Sequence, residues 1–153
     1  MSRGQSKLMI EKMESAAAAD STNKTLYFAL GATYDNLNKK SNAEKAYLKA
    51  IAIDSNYFDA LYNLGAMHYN TAVEIFNKTN NLPMSKEKEY NAGKLKYTNL
   101  FNKSLPYLER ANRLLPNDMN TLISLKEVYA KTNNFNKVTE IKKRMESLKV
   151  KKK

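Results

Sequence analysis

A pattern of apolar and small residues recurs after 34 positions, and it constrains the fold more than any other feature of the sequence. The dipeptide Leu30-Gly31 is followed by Tyr34, and the dipeptide Leu64-Gly65 is followed at the same spacing by His68. Repeat periods of about 20–50 residues are typical of solenoid proteins, in which each repeat buries its apolar face against its neighbours. The sequence therefore predicts a stack of similar units.

The second half of each copy carries small residues at fixed intervals. Ala43 and Ala50 flank Tyr47 in the first copy, and Ser104 and Ala111 have the same spacing in the second. Two helices approach closely only where a small residue faces a large one, so the small residues are predicted to form holes that large residues fill. The predicted holes are Gly31, Gly65, Ala43, Ala50 and Ala111, and the predicted knobs are Tyr34, Tyr47, Leu30, Leu64 and Leu108.

The composition favours helices throughout. The chain has four glycines and three prolines, so turn signals for a many-stranded sheet are few. Alanine, leucine, lysine and glutamate, which favour helices, fill the periodic stretches. Cysteine is absent, which excludes disulfides, thiolate nucleophiles and cysteine metal sites.

These spacings resemble the tetratricopeptide repeat, in which an aromatic residue, Leu-Gly and Tyr are followed by Ala, an aromatic residue, Ala and Pro. The first copy departs with Ser55 where proline is usual; later copies have His68 for tyrosine, Lys126 for glycine and Met145 for alanine. The resemblance implies an all-α fold, an α-α superhelix of about seven helices. It predicts one domain at 1–150 and a basic tail at 150–153. Within the domain, the second helix of a truncated repeat is expected at 6–20, followed by repeats at 24–57, 58–118 and 119–149.

The N-terminus resembles the middle of a repeat, because Gly4 occupies the place of the intra-repeat turn glycine. We therefore expect a C-terminal fragment of a longer protein, or a protein that has lost upstream repeats. The runs at 57–67 and 105–111 are similar to a group of bacterial tetratricopeptide proteins, many of them exported. This resemblance suggests a periplasmic or otherwise exported full-length protein but does not fix its location. This chain shows neither a signal peptide nor an apolar run near the about 20 residues of a membrane span, so we expect it to be soluble.

The second repeat contains an insertion. Between His68 and Ser104 lie 35 residues, 27 more than the eight of the first copy. Apolar residues continue at helical spacing on both sides of a turn at 80–85, so both helices are predicted to be elongated. A helical hairpin at about 71–100 should then project about 15 Å, with a kink at Pro106. Ser41 and Ser85 are predicted helix N-caps.

The resemblance also implies a binding groove, because the first helices of successive repeats line the concave face. Tyrosine and asparagine suit adaptable contacts there. The predicted groove residues are Phe28, Ala32, Asp35, Asn36, Asp59, Tyr62, Asn63, Ala66, Tyr69, Asn70, Asn120, Ile123, Glu127 and Lys131. Asn63 is the one match to the carboxylate clamp of cochaperone tetratricopeptide domains, so such a clamp is not expected.

The predicted function is a protein-interaction scaffold that binds a peptide or protein segment in the groove or on the hairpin. One alternative is polyanion binding, because the net charge is +11 and a basic patch precedes the basic tail. A nucleic-acid partner is nevertheless disfavoured, since a solvated helix and tail explain the charge. The basic patch comprises Lys137, Lys142, Lys143, Arg144 and Lys149. Another alternative is a homodimer through the truncated N-terminal end.

An enzyme is the least expected class. His68 is the only histidine, and it replaces a core tyrosine, so packing explains it better than catalysis or metal binding. No phosphate-binding glycine loop occurs, and we expect no cofactor and no metal.

Overall fold

The computed structural model describes residues 3–150, with side chains from Lys7 onward. These residues form seven α-helices and one short 3₁₀ helix, and they contain no strand. The helices are α1 (Arg3–Ala19), α2 (Lys24–Asn36), α3 (Lys40–Ile53), α4 (Phe58–Asn80), α5 (Glu87–Leu114), α6 (Met119–Lys131) and α7 (Phe135–Val150), and the 3₁₀ helix is Met84–Lys86. The predicted all-α fold is confirmed. Two compact units share α4, since the first unit ends at Leu64 and the second begins at Gly65.

In the first unit, α2 packs against α3 through the predicted small and large residues. A Cβ added to Gly31 would lie 2.5 Å from the ring of Tyr47, so only glycine permits this approach. Ala43 and Ala50 are completely buried, and Leu30 is 4% exposed. Truncating Leu30 to alanine would therefore cost about 2–5 kcal/mol. α1 packs on α2, where the Tyr27 hydroxyl donates to the Ala17 carbonyl at 3.1 Å.

The second unit repeats this arrangement between α4 and α5. A Cβ added to Gly65 would lie 2.7 Å from Cγ of Leu108, which is completely buried. All the predicted holes and knobs are buried, in both units. α6 then packs against α5 and α7, with Leu122 and Leu125 in the core.

The elongation of α4 and α5 is confirmed, because they contain 23 and 28 residues whereas α2 and α6 contain 13 each. The added lengths pack against each other at Gly93, where a Cβ would lie 2.2 Å from Oγ1 of Thr79. α5 runs unbroken through Pro106. Phe101 before the proline and Leu108 after it are both buried, so packing holds the two halves of the helix in place.

Side-chain caps begin α2 and α6. Asn23 Oδ1 accepts from the Leu26 N–H at 3.1 Å, and Asp118 Oδ1 accepts from the Thr121 N–H at 2.8 Å. Each such cap stabilises a helix by about 1 kcal/mol. In the turn between α6 and α7, Asn133 lies in the left-handed region at φ 60°, a conformation that asparagine tolerates.

The two predicted serine caps are wrong. α3 begins at Lys40, one residue before Ser41, because the Lys39 carbonyl accepts from the N–H groups of Asn42 and Ala43, both at 3.0 Å. Ser85 lies inside the 3₁₀ helix, and α5 begins at Glu87. In both places the backbone forms the first turn without the serine side chain.

Candidate protein-docking surface

The fourteen predicted groove residues lie at the surface, and none of them is buried. Intervening positions such as Leu64 and Leu122 are completely buried, so the same helices carry core on one face and these residues on another. The exposed members are Asn36, Asp59, Asn70, Asn120, Ile123 and Lys131, and the half-buried members are Phe28, Ala32, Asp35, Tyr62, Asn63, Ala66, Tyr69 and Glu127. The members up to Asn63 belong to the first unit and the rest to the second.

Aromatic packing fixes the large groove residues of the first unit. The ring of Phe28 lies 5.5 Å from that of Tyr57 in a T-shaped arrangement and 6.0 Å from that of Tyr47. Tyr62 stacks on Phe58 with centroids 6.1 Å apart and planes 8° from parallel. Aromatic pairs of this kind contribute about 0.5–1.5 kcal/mol beyond burial, so both rings present rigid surfaces.

Polar groove residues of the first unit are partly engaged. The Asp35 carboxylate accepts from Lys40 Nζ at 2.6 Å. The Asn63 amide donates to the Asp59 carbonyl at 2.8 Å, which leaves the amide oxygen of Asn63 to accept from a ligand.

In the second unit, the groove residues combine aromatic, apolar and charged groups. The Tyr69 ring lies 5.8 Å from the Phe101 ring, and burial, reinforced by the charge of Glu127, raises the pKa of Tyr69. Tyr69 is therefore a neutral hydroxyl at physiological pH. Ile123 is 43% exposed, and Lys131 Nζ lies 4.0 Å from the centroid of the Phe76 ring.

A cavity of about 360 Å³ beside Lys131 was not predicted from the sequence. Its walls come from α4, α5, α6 and the turn after α6. No spacing rule brings four such segments together, so no sequence signal could have found it. We call this cavity the basic-aromatic pocket, and its lining residues are Phe76, Lys94, Tyr97, Thr98, Phe101, Asn102, Lys131, Thr132 and Asn133.

Two side chains of the predicted basic patch form hydrogen bonds within the second unit. Lys137 Nζ donates to Glu109 at 2.9 Å and to the Tyr129 hydroxyl at 3.2 Å, and Arg144 donates to the Pro116 carbonyl. The remaining three members are exposed on α7, and they are Lys142, Lys143 and Lys149. The structure thus leaves part of the patch available to an anion and uses the rest in packing.

The contacts of Lys137 belong to a charged cluster. Tyr129 donates to the same Glu109 oxygen at 2.6 Å. Burial raises the pKa of Glu109, but the hydrogen bonds from Tyr129 and Lys137 outweigh burial and hold the pKa below its ordinary value. Burial and the bond to Glu109 raise the pKa of Tyr129 to about 12. Because Glu109 stays ionised and Tyr129 neutral, the cluster stabilises the second unit at neutral pH.

His68 is 3% exposed, and its ring lies 6.1 Å from that of Tyr107, as expected of a packed core residue. Within residues 3–150, no group of three or more histidine, aspartate and glutamate side chains is placed to hold a metal ion.

On α1, Leu8 is 54% exposed and Met9 is 36% exposed. The homodimer through this end stays a prediction. None of the helices in the described part of the chain is long and apolar enough to cross a membrane.

The fold is similar to that of two crystal structures of MamA. The first superposes with a TM-score of 0.71 at 18% sequence identity, over 96% of this chain and 66% of that one. The second gives a TM-score of 0.63 at 20% identity, over 94% of this chain and 68% of that one. The chain thus spans about two thirds of the length of each. The likeness shows a tetratricopeptide-like, all-helical fold. No family model matches the sequence, and no curated protein matches it.

Proposed function

We propose that this chain is a protein-interaction scaffold rather than an enzyme, and that the fourteen groove residues bind a segment of a partner protein. The observation that carries the proposal is their placement: all fourteen are accessible on helices whose opposite faces form the core. That the sets on the two units act together is part of the proposal. The tetratricopeptide-like fold supports a binding function.

The chemistry of these side chains suits an extended protein segment. Tyr62, Tyr69 and Ile123 offer apolar surface, and the two tyrosines also offer hydroxyl groups. Asparagine amides can form hydrogen bonds with the main chain of a ligand. Asn70 and Asn120 are exposed and therefore available for such bonds. Large aromatic residues that are already rigid lose little entropy on binding, so they are the expected anchors.

The proposal is tested by capture from a lysate of the source cells, followed by affinity measurements with the purified partner. The variant Tyr62→Ala/Ile123→Ala removes apolar surface from the predicted groove. The matched control, Leu48→Ala/Leu115→Ala, removes apolar surface elsewhere, because Leu48 is 39% and Leu115 is 48% exposed. We expect a partner retained at high salt, with at least tenfold weaker binding to the groove variant and little change for the control.

Equal losses for the two variants would place the binding surface outside the groove. A partner that washes off at high salt from every variant would contradict the proposal and favour the basic patch.

A further inference from the structure

The basic-aromatic pocket has a rigid apolar wall. The Phe76 and Tyr97 rings meet edge to face at 5.2 Å and 73°, and Tyr97 meets Phe101 at 6.1 Å and 65°. Phe101 is 1% exposed, so the wall is anchored in the core of the second unit. The ring of Tyr69, a groove residue, lies 5.8 Å from the ring of Phe101. The pocket therefore adjoins the part of the predicted groove that lies on the second unit.

Two ammonium groups give the pocket its charge. Lys131 Nζ is held 4.0 Å from the centre of the Phe76 ring, and Lys94 lines the cavity from α5. None of the nine lining residues carries a carboxylate. Between residues 3 and 150, no carboxylate forms an ion pair with either lysine, and Glu127, one turn before Lys131, pairs with Lys126 at 3.0 Å. The positive charge of the pocket is thus left for a ligand to balance.

We propose that the basic-aromatic pocket binds an acidic side chain of the partner segment, a glutamate or aspartate that stands next to an apolar residue. The carboxylate would accept from Lys94 and Lys131, and the apolar neighbour would pack on the aromatic wall. A volume of about 360 Å³ lies at the small end of the about 300–1,000 Å³ of ligand pockets, which suits one or two side chains. The inference rests on the proposed function and adds a sequence requirement to it.

The wall geometry favours a peptide over a nucleic-acid strand. Base stacking needs an open ring face. Here Lys131 covers a face of Phe76, Phe101 is buried, and the rings of Phe76 and Tyr97 meet edge to face. Such a wall accepts a compact apolar side chain better than a planar base.

The required acidic residue is tested by selecting random peptides on the immobilised full chain. The peptides are displayed without a free C-terminus. We expect enrichment of an acidic residue beside an apolar one. The best sequence is then made as a peptide with both termini blocked, together with its Glu→Gln or Asp→Asn version. Calorimetry should show about tenfold weaker binding of the neutral peptide to the unaltered chain, and a similar loss for the acidic peptide with Lys94→Gln/Lys131→Gln. The two losses should not add, because they remove the same contact.

The matched control is Lys142→Gln/Lys143→Gln, which removes the same charge from exposed positions on α7. If this control weakened peptide binding as much as Lys94→Gln/Lys131→Gln, the pocket proposal would be wrong, and only the general attraction between a positive chain and an acidic peptide would remain. Lys94→Gln alone is the second test variant, since Lys131→Gln also removes the contact with Phe76. Thermal unfolding of each variant shows that the fold is intact.

The outcomes also separate the two proposals. If the selected peptides carried no acidic residue but lost affinity for the Tyr62→Ala/Ile123→Ala variant, the pocket proposal would be wrong and the groove proposal would still hold. Failure to select any peptide, with no partner from lysate, would contradict both. Competition by an oligothymidylate that depends on Lys94 and Lys131 would overturn the peptide assignment in favour of a phosphate ligand.

Discussion

At the scale of single residues, two tyrosines at equivalent repeat positions form the same kind of hydrogen bond. Tyr34 donates to Glu14 and Tyr129 donates to Glu109, in each case to a glutamate twenty residues earlier. At the equivalent position of the middle copy the residue is His68, and Leu48 stands twenty residues before it. The departure from tyrosine therefore coincides with the absence of the acceptor carboxylate. The sequence contains this pairing, but only the structure shows that it is a hydrogen bond.

Substitution of Glu109 by glutamine should destabilise the protein by about 1–2 kcal/mol at pH 7, because the charged acceptor of two hydrogen bonds is lost. The depressed pKa of Glu109 means that its contribution is present above the ordinary pKa of 4.5 and is lost as the pH falls through the folded pKa. The difference between the two proteins should therefore shrink below about pH 4. Urea unfolding at several pH values measures it.

The control for this pH dependence is Glu146→Gln, which alters an exposed carboxylate on α7. Its effect should be within about 0.5 kcal/mol at every pH. A Glu109→Gln effect that does not change between pH 7 and pH 3 would show that the charge of Glu109 is not what stabilises the cluster.

At the scale of helices, the spacing of small and large residues predicted the packing correctly, because close approach leaves few choices of residue. Gly31 and Gly65 are examples, since any Cβ there would meet a buried side chain. Helix starts at Ser41 and Ser85 were predicted less well, because a backbone turn can begin a helix without a capping side chain. The basic-aromatic pocket lay beyond sequence reasoning, since it depends on how α6 meets the elongated helices.

The end of the hairpin should be dispensable for folding. Within residues 78–95 only Thr79 is buried, and Met84 is fully exposed. Replacing this stretch by a short turn should shift the midpoint of thermal unfolding by less than about 5 °C, as expected for a change of about 1 kcal/mol or less. Circular dichroism measures the transition. Phe101→Ala in the full chain is the contrasting variant, and it should cost about 3–5 kcal/mol. Loss of cooperative unfolding in the shortened chain would show that the hairpin is part of the core.

At the scale of the whole molecule, the net charge of +11 and the predicted groove favour different kinds of partner, a polyanion in one case and a protein segment in the other. Charge alone attracts any polyanion, and this attraction weakens as salt rises because bound counterions are released. Apolar anchors such as Tyr62 and Ile123 are far less sensitive to salt. Salt dependence therefore distinguishes the two ways of binding without knowledge of the partner.

The exposed lysines of α7 allow the expected change in salt dependence to be estimated. Each phosphate contact contributes about 0.7 to the slope of log affinity against log salt for a single strand, so Lys142→Gln/Lys143→Gln/Lys149→Gln should reduce the slope for an oligothymidylate by about 2. Fluorescence anisotropy at several salt concentrations measures the slope. The same variant should retain the protein partner unchanged, because these side chains lie outside the fourteen groove residues. If the partner were lost together with the oligonucleotide, α7 rather than the groove would be the binding surface.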